Sequence, residues 1–431
     1  MSAESAGVGP APMRIAFFVS RFPSLSQTFI LRQVTGLLDR GHDVAIFAEG
    51  ADGWSPIHDE VVQYGLRDRV SYIGGPGKLQ PSDLSVLLDL IRTRPGGLRR
   101  WFGGHAARYG GRVSLSRKLS KLQGTDFDPD LIHAHFGDVA QRSLCATAVW
   151  PVPFVASFYG ADCSRLPKQR GIHFYEPLFK QASLITALSS SMEDRLRMLG
   201  CPPDRLRRQR IGVDLEEFPF RERAPKRLGR PIRILTVARL VEKKGVADSL
   251  RALARLQESQ FAFRYDIVGD GPLRSRLEAL AESLGISSLV TFHGSADQSA
   301  VRVAMLDADL FLLPSVTAVD GDEEGTPTVL MEASASGLPV VSTYHSGIPE
   351  VVLDGVSGVL VPEGDPPRLA QAVAYVLRSP ERWAGMGRSG RAHIRRNHDT
   401  RVLAQNLEDM YRELLLGPSI LAEGSGVGLV E

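Results

Sequence analysis

Short apolar runs alternate with longer amphipathic stretches along nearly the whole chain, and this alternation restricts the fold more than any other feature. Runs at residues 14–20, 43–48, 131–134, 154–157 and 184–188 read as buried strands. The stretch 27–40 keeps a helical period and stops at Gly41, and 189–199 does the same at Gly200. Buried strands joined by helices make parallel sheets. The alternation pauses over 212–231, where Pro219, Pro225 and Pro231 stand among charges, so this segment reads as an interdomain linker. A second set of strands begins at Ile232-Arg-Ile-Leu-Thr-Val-Ala238 and continues at 265–268, 289–292, 310–313, 339–342 and 358–361. Helical stretches at 366–377 and 401–415 close the pattern.

The organisation expected is therefore a lead-in (1–12), a first Rossmann-like domain (13–215), a linker (216–231) and a second Rossmann-like domain (232–395). A C-terminal helix (396–416), expected to cross back to the first domain, and a flexible tail (417–431) complete it. Open parallel sheets take ligands beyond the carboxyl ends of their strands, and two such halves place a cleft between them.

Composition narrows the partners. With 431 residues, 23% charged and a net charge of +2, the chain carries no broad basic excess that would call for nucleic acid. Cys145, Cys163 and Cys201 form no C-x-x-C pair, which argues against a disulfide framework or a structural zinc site. Residues 1–12 lack the basic and apolar regions of an export signal, and no run approaches the ~20 apolar residues of a membrane span. These features favour the cytoplasm.

The segment Glu324-Gly-Thr-Pro-Thr-Val-Leu-Met-Glu332 follows the apolar run Leu310-Phe-Leu-Leu-Pro314 and a polar loop. Thr326 suits a helix N-cap and Pro327 the first helical position. The N–H groups of Thr328, Val329 and Leu330 would then face outward as an anion site. Glu332, about 7 Å further along at ~1.5 Å per residue, could accept hydrogen bonds from ribose hydroxyls. Glu324, before the cap, is placed to meet a sugar. At the bend Val237-Ala-Arg-Leu-Val-Glu-Lys-Lys-Gly245, Arg239 and Lys244 could both reach a diphosphate. Gly269 and Gly271 of Ile267-Val-Gly-Asp-Gly-Pro272 would let the backbone come close to a bound ligand and are candidates for the donor side. Position 274 is Arg, so the third glycine of a dinucleotide fingerprint is missing and a nicotinamide dehydrogenase is disfavoured.

With these motifs in view, Glu324 and Glu332 resemble the E-x7-E pair of retaining GT-B glycosyltransferases, family 4 in particular. The run from Glu332 through Ser346-Gly-Ile-Pro-Glu-Val-Val352 to Asp354-Gly-Val-Ser-Gly-Val-Leu-Val-Pro362 is similar in order and spacing to that family's donor-binding domain. The resemblance implies an α/β GT-B fold with two Rossmann-like domains facing a cleft. It implies a nucleoside diphosphate sugar as donor, Arg239 and Lys244 on its diphosphate, and Val290-Thr-Phe-His-Gly294, with His293, near its base. It also implies catalysis without a resident metal or other cofactor, so Asp320-Gly-Asp322 is assigned none.

The first domain should hold a hydroxyl acceptor, either lipid-linked or a soluble small molecule or glucan. Arg21-Phe-Pro-Ser-Leu-Ser-Gln-Thr-Phe-Ile30 and His133-Ala-His-Phe-Gly137 resemble segments of the colanic-acid-type exopolysaccharide subgroup. Ser26, Thr28 and His135 are the acceptor-side candidates there, although Ser26 or Thr28 could equally cap the helix that follows. In Val155-Ala-Ser-Phe-Tyr-Gly-Ala-Asp162, Tyr159 stands where many relatives have a histidine near the transferred sugar. Tyr159 is thus the second catalytic candidate beside Glu324, and Asp162 a candidate for a sugar hydroxyl. Residues 92–121 hold nine basic side chains with Trp101, Phe102 and Tyr109 among them and no acid. They are a candidate surface for anionic membrane or a lipid diphosphate, or else a solvated insertion. A two-lobed ligand-binding protein is the alternative outside the transferases.

Overall fold

The computed structural model describes residues 11–24, 27–53, 58–74, 92, 111–224, 231–257 and 261–417. Seven strands form the first sheet: β1 (Arg14–Arg21), β2 (Asp43–Gly50), β3 (Val70–Tyr72), β4 (Leu131–His135), β5 (Phe154–Ser157), β6 (Leu184–Ala187) and β7 (Leu206–Arg208). All pairings are parallel, in the order β3-β2-β1-β4-β5-β6-β7. The second sheet comprises β8 (Ile232–Val237), β9 (Phe263–Val268), β10 (Val290–Gly294), β11 (Leu310–Leu313), β12 (Val340–Thr343) and β13 (Gly358–Val361). It too is parallel, in the order β10-β9-β8-β11-β12-β13.

Both strand orders reverse direction once, between β1 and β4 and between β8 and β11. At such a reversal the loops leaving neighbouring strands part to opposite faces and open a crevice. The loops after β8 and β11 carry Lys244 and Glu324, so the topology alone brings these distant residues to one crevice.

Each sheet is buried on both faces. Along β1, Ile15, Phe17 and Val19 enter one core while Ala16 and Phe18 enter another, as two-residue periodicity demands. The core behind Phe18 continues through Leu188 and Met192 to Leu330 and Ile348 of the second domain. The two domains therefore share buried apolar surface and are not merely tethered.

The helices that position the site are α1 (Thr28–Asp39), α2 (Gly137–Ser143), α3 (Ser190–Met198), α4 (Gln298–Asp307), α5 (Thr328–Ala335), α6 (Trp383–Asn397) and α7 (Thr400–Leu416). The sequence pattern does not anticipate α6, whose Gly385, Gly387 and Gly390 read as breakers. Packing explains it: a Cβ at Gly387 would lie 2.3 Å from the Gly337 carbonyl oxygen, so glycine lets α6 press against the end of α5. The segment read as an interdomain linker is partly buried. Phe218 is 2% exposed, and the Arg391 guanidinium donates to the Phe218 and Leu215 carbonyls at 2.6 and 3.0 Å. Chain that is pinned by its own backbone acceptors need not be apolar in sequence to be ordered.

Helix α7 leaves the second domain and packs on α1, with Leu407 and Tyr411 in the core of the first domain. Tyr411 and His133 share a hydrogen bond of 2.5 Å in that core, and Glu408 pairs with Arg40. Among the described residues no helix is long and apolar enough to cross a membrane.

Candidate active site

The chain enters the site after β11. Helix α5 begins at Thr328, and Pro327, with φ −66° and ψ 114°, occupies the N-cap position. The expected cap, Thr326, lies one residue too early. Its hydroxyl is buried without a partner and caps nothing. Leu330 N–H is bonded to the Pro327 carbonyl at 3.2 Å, so it is not one of the free donors. Thr328 and Val329, both half-buried, remain at the open N-terminus, where backbone dipoles favour an anion.

Glu324 sits just before this terminus and is 7% exposed. Lys244 ends a short 3-10 turn after β8, and its Nζ lies 2.9 Å from Glu324 Oε1. Burial pushes the Glu324 carboxyl up, but Lys244, then Lys243, pull it down, and the outcome is a lowered pKa. Glu324 is thus a buried carboxylate kept ionised by a cation. Lys243 holds the same loop from beneath, reaching Asp322 Oδ1 at 3.2 Å and the Glu323 carbonyl at 3.3 Å. Arg239 is exposed at the same bend.

Glu332, one turn into α5, has the opposite character. Burial raises its pKa to about 7. A hydrogen bond with Gln298, the first residue of α4, opposes that rise; Glu217 adds to it, and Arg32 and Arg302 offset it. Two carboxylates on one segment are therefore tuned apart, one firmly charged and one near neutrality.

His293, near the end of β10, donates its Nε2–H to Asp266 Oδ1 at 2.7 Å. It lines an open groove of about 460 Å³ between α4 and the β8–β10 face, whose walls include Val268, Ala296 and Ala300. Gly269 and Gly271 act differently from the sequence reading. A Cβ at Gly269 would lie 1.9 Å from the Ala238 carbonyl oxygen, and one at Gly271 would lie 2.5 Å from that of Leu240. Their close approach is to the chain's own β8 turn.

Several first-domain candidates prove to be internal. Tyr159 turns its ring between Phe29 and Phe136, and its hydroxyl meets His135 Nδ1 at 2.7 Å. Burial pushes its phenol well up, so it is a neutral group and no base at ordinary pH. His135 is fully buried and kept neutral by burial, with His133 next to it reinforcing the effect; its place is in the domain core, behind Tyr159. Asp162 accepts from the backbone N–H groups of Gly137 (2.9 Å), Tyr159 (3.0 Å) and Gly160 (2.7 Å), so both oxygens tie β4 to β5 and neither is left for a sugar. Thr28 is the half-buried first residue of α1, whose cap is Gln27. Ser26 lies outside the described residues, as does most of 92–121.

What reaches the second domain from Tyr159 is its backbone. A Cβ at Gly325 would lie 2.0 Å from the Tyr159 carbonyl oxygen, so only glycine permits this approach. Around it the domains are joined by polar contacts that the sequence does not signal. Arg195 meets Glu323 at 2.5 Å, and Glu323 N–H donates to Ser164 Oγ at 3.3 Å. Arg165 reaches Asp320 at 3.3 Å, which assigns the D-x-D triplet to the interface. Glu350 accepts from Ser190 N–H (2.6 Å) and Oγ (2.8 Å) at the start of α3, with Arg210 at 3.3 Å.

A crevice at a strand reversal, an open helix N-terminus and a paired lysine and glutamate make an arrangement that can receive an anionic group. Comparison with known proteins identifies the family. The family model for group 1 glycosyl transferases matches residues 219–393, and that for glycosyltransferase family 4 matches residues 26–217. A protein named as a colanic acid biosynthesis glycosyltransferase, WcaL of Salmonella typhimurium (strain LT2), is 36% identical over 379 residues, covering 85% of this chain and 91% of its own. The amylovoran biosynthesis glycosyltransferase AmsK of Erwinia amylovora is also 36% identical, over 85% of this chain and 90% of its own. Among solved structures, Anabaena Alr3699/HepE in complex with UDP and glucose superposes with a TM-score of 0.68 at 18% identity, covering 93% of this chain and 99% of that one. The chain is a member of the family 4 (group 1) glycosyltransferases, and its fold is GT-B.

Proposed function

We propose that the protein transfers a sugar, with retention of configuration, from a nucleoside diphosphate sugar to a hydroxyl acceptor during exopolysaccharide assembly. The observation that carries this reading is the ionised Glu324, held by Lys244 beside the open N-terminus of α5. A diphosphate placed there gains Lys244, Arg239 and the N–H groups of Thr328 and Val329. These groups stabilise the charge that grows as the glycosidic bond breaks, and being fixed in advance they reorganise little. Lys244 between two anions also keeps Glu324 charged, so its carboxylate orients the sugar by accepting hydroxyl hydrogen bonds. Glu332 takes the ribose. The acceptor hydroxyl attacks from the face the diphosphate leaves and passes its proton to the departing diphosphate oxygen, so no enzymic nucleophile is required. The polar joints between the domains exclude water from this cleft, which limits donor hydrolysis.

The polysaccharide context rests on the names of WcaL and AmsK, and the donor class on the UDP and UDP-glucose complexes of HepE. Calorimetry of the Glu332→Ala variant tests the donor site. Affinity for the donor should fall about 10-fold or more, since a hydrogen bond to a charged group contributes about 1.5–3 kcal/mol. Wild-type affinity in that variant would contradict the assignment.

A further inference from the structure

Three consecutive residues beyond β12 grip the backbone of the loop before α5 on either side of the Glu324–Gly325 bond. His345 Nε2 accepts the Glu324 backbone N–H at 3.1 Å. Ser346 Oγ and Gly347 N–H both donate to the Gly325 carbonyl at 3.2 Å. Ser346 has φ +47°, a left-handed value seldom taken by serine, so the turn is bent to bring these groups together. His345 is 3% exposed, which leaves little room for water to replace it. A ring nitrogen that accepts carries no proton, so the proton of this imidazole is on Nδ1. Nδ1–H donates to Glu363 Oε2 at 2.8 Å, and Glu363 also accepts the Thr317 N–H at 2.7 Å. Glu363 thereby fixes the tautomer that lets His345 accept.

We propose that His345, oriented by Glu363, is a positioning residue for glycosyl transfer: it sets the backbone at Glu324 so that the carboxylate faces Lys244 and the sugar. This rests on the role given to Glu324 above. The Glu324 side chain leaves from the very residue whose N–H is held. A shift of the peptide therefore moves the carboxylate directly, and displacements near 1 Å cost rates on the order of 100-fold in organised sites.

Two amides separate positioning from mere packing. Gln places its carbonyl oxygen near the Nε2 position and can still accept from Glu324. Asn places its amide near Nδ1 and can still reach Glu363, but not Glu324. In the full-length protein, with the sugar nucleotide the wild type turns over, His345→Gln should keep kcat within about 3-fold, while His345→Asn should lose on the order of 10- to 100-fold in kcat with little change in KM. Hydrogen exchange at the Glu324 amide should quicken in His345→Asn and stay slow in His345→Gln. Equal losses in both variants, or wild-type kcat in His345→Asn, would overturn the proposal. If the wild type turned over no sugar nucleotide, the functional reading would fall and the transfer role with it. The exchange comparison would still decide whether His345 holds the Glu324 amide.

Discussion

Glu324 and Glu332 stand eight positions apart and differ in protonation because their neighbours differ. Lys244 lies against the first, whereas desolvation dominates at the second. For Glu332 the sign of the pH dependence follows. Its folded pKa is about 7 against an ordinary 4.5, so between these values the folded protein keeps a proton that the unfolded chain has released. Its contribution to stability is therefore fully present below about 4.5 and is lost as pH rises through about 7. In the proposed role the donor binds the carboxylate, so donor affinity should rise across the same region. Glu332→Gln should flatten that rise in calorimetry between pH 6 and 8 and should raise Tm relative to wild type at pH 8 but not at pH 4. A donor affinity that falls with rising pH would reject the role. The motif glutamates, Lys244 and the open helix turn were legible because each belongs to a local pattern. His345 and Ser190 were not, because they act on partners 21 and 160 residues away, and no local periodicity reports such contacts. Tyr159, His135 and Asp162 were misread for a related reason. Strand ends at a crevice look alike in sequence whether the side chain faces the cleft or turns into the core.

At the level of elements, long apolar strands were legible and their edges were not. β3 and β7 are three-residue edge strands with half-polar composition, too short to show alternation. Helix α6 was hidden by its own glycines, which the packing against α5 requires. Gly387→Ala raises intrinsic helix propensity yet should destabilise the protein, because the methyl group meets the Gly337 carbonyl. Overpacking of this kind costs about 1–3 kcal/mol, to be read from the urea midpoint at unchanged m. A more stable Gly387→Ala variant would show that propensity, and not the close approach, governs the helix. In the linker, prolines among charges gave no sign of the buried Phe218 or of the backbone carbonyl that Arg391 holds.

In the whole molecule, the two sheets are joined by a shared core, by acidic loop residues against Arg165 and Arg195, and by α7 crossing back to the first domain. The Tyr411–His133 bond fastens that helix. His133 is fully buried and burial lowers its pKa to about 3, so it is neutral, and each buried ring nitrogen needs a hydrogen-bond partner. Tyr411→Phe leaves one of them unsatisfied and should lower stability by about 1–3 kcal/mol, seen as a drop in Tm; an unchanged Tm would mean the helix docks on apolar contacts alone. The arrangement of both domains around Glu324 fits the proposed transfer of sugar from a nucleoside diphosphate sugar within the cleft. The most direct measurement is release of nucleoside diphosphate when the purified protein is incubated with UDP-, GDP- and ADP-sugars. Slow release from one donor class is expected, reduced on the order of 100- to 1,000-fold in Glu324→Gln at unchanged fold. No release from any of them, or equal release from the variant, would contradict it.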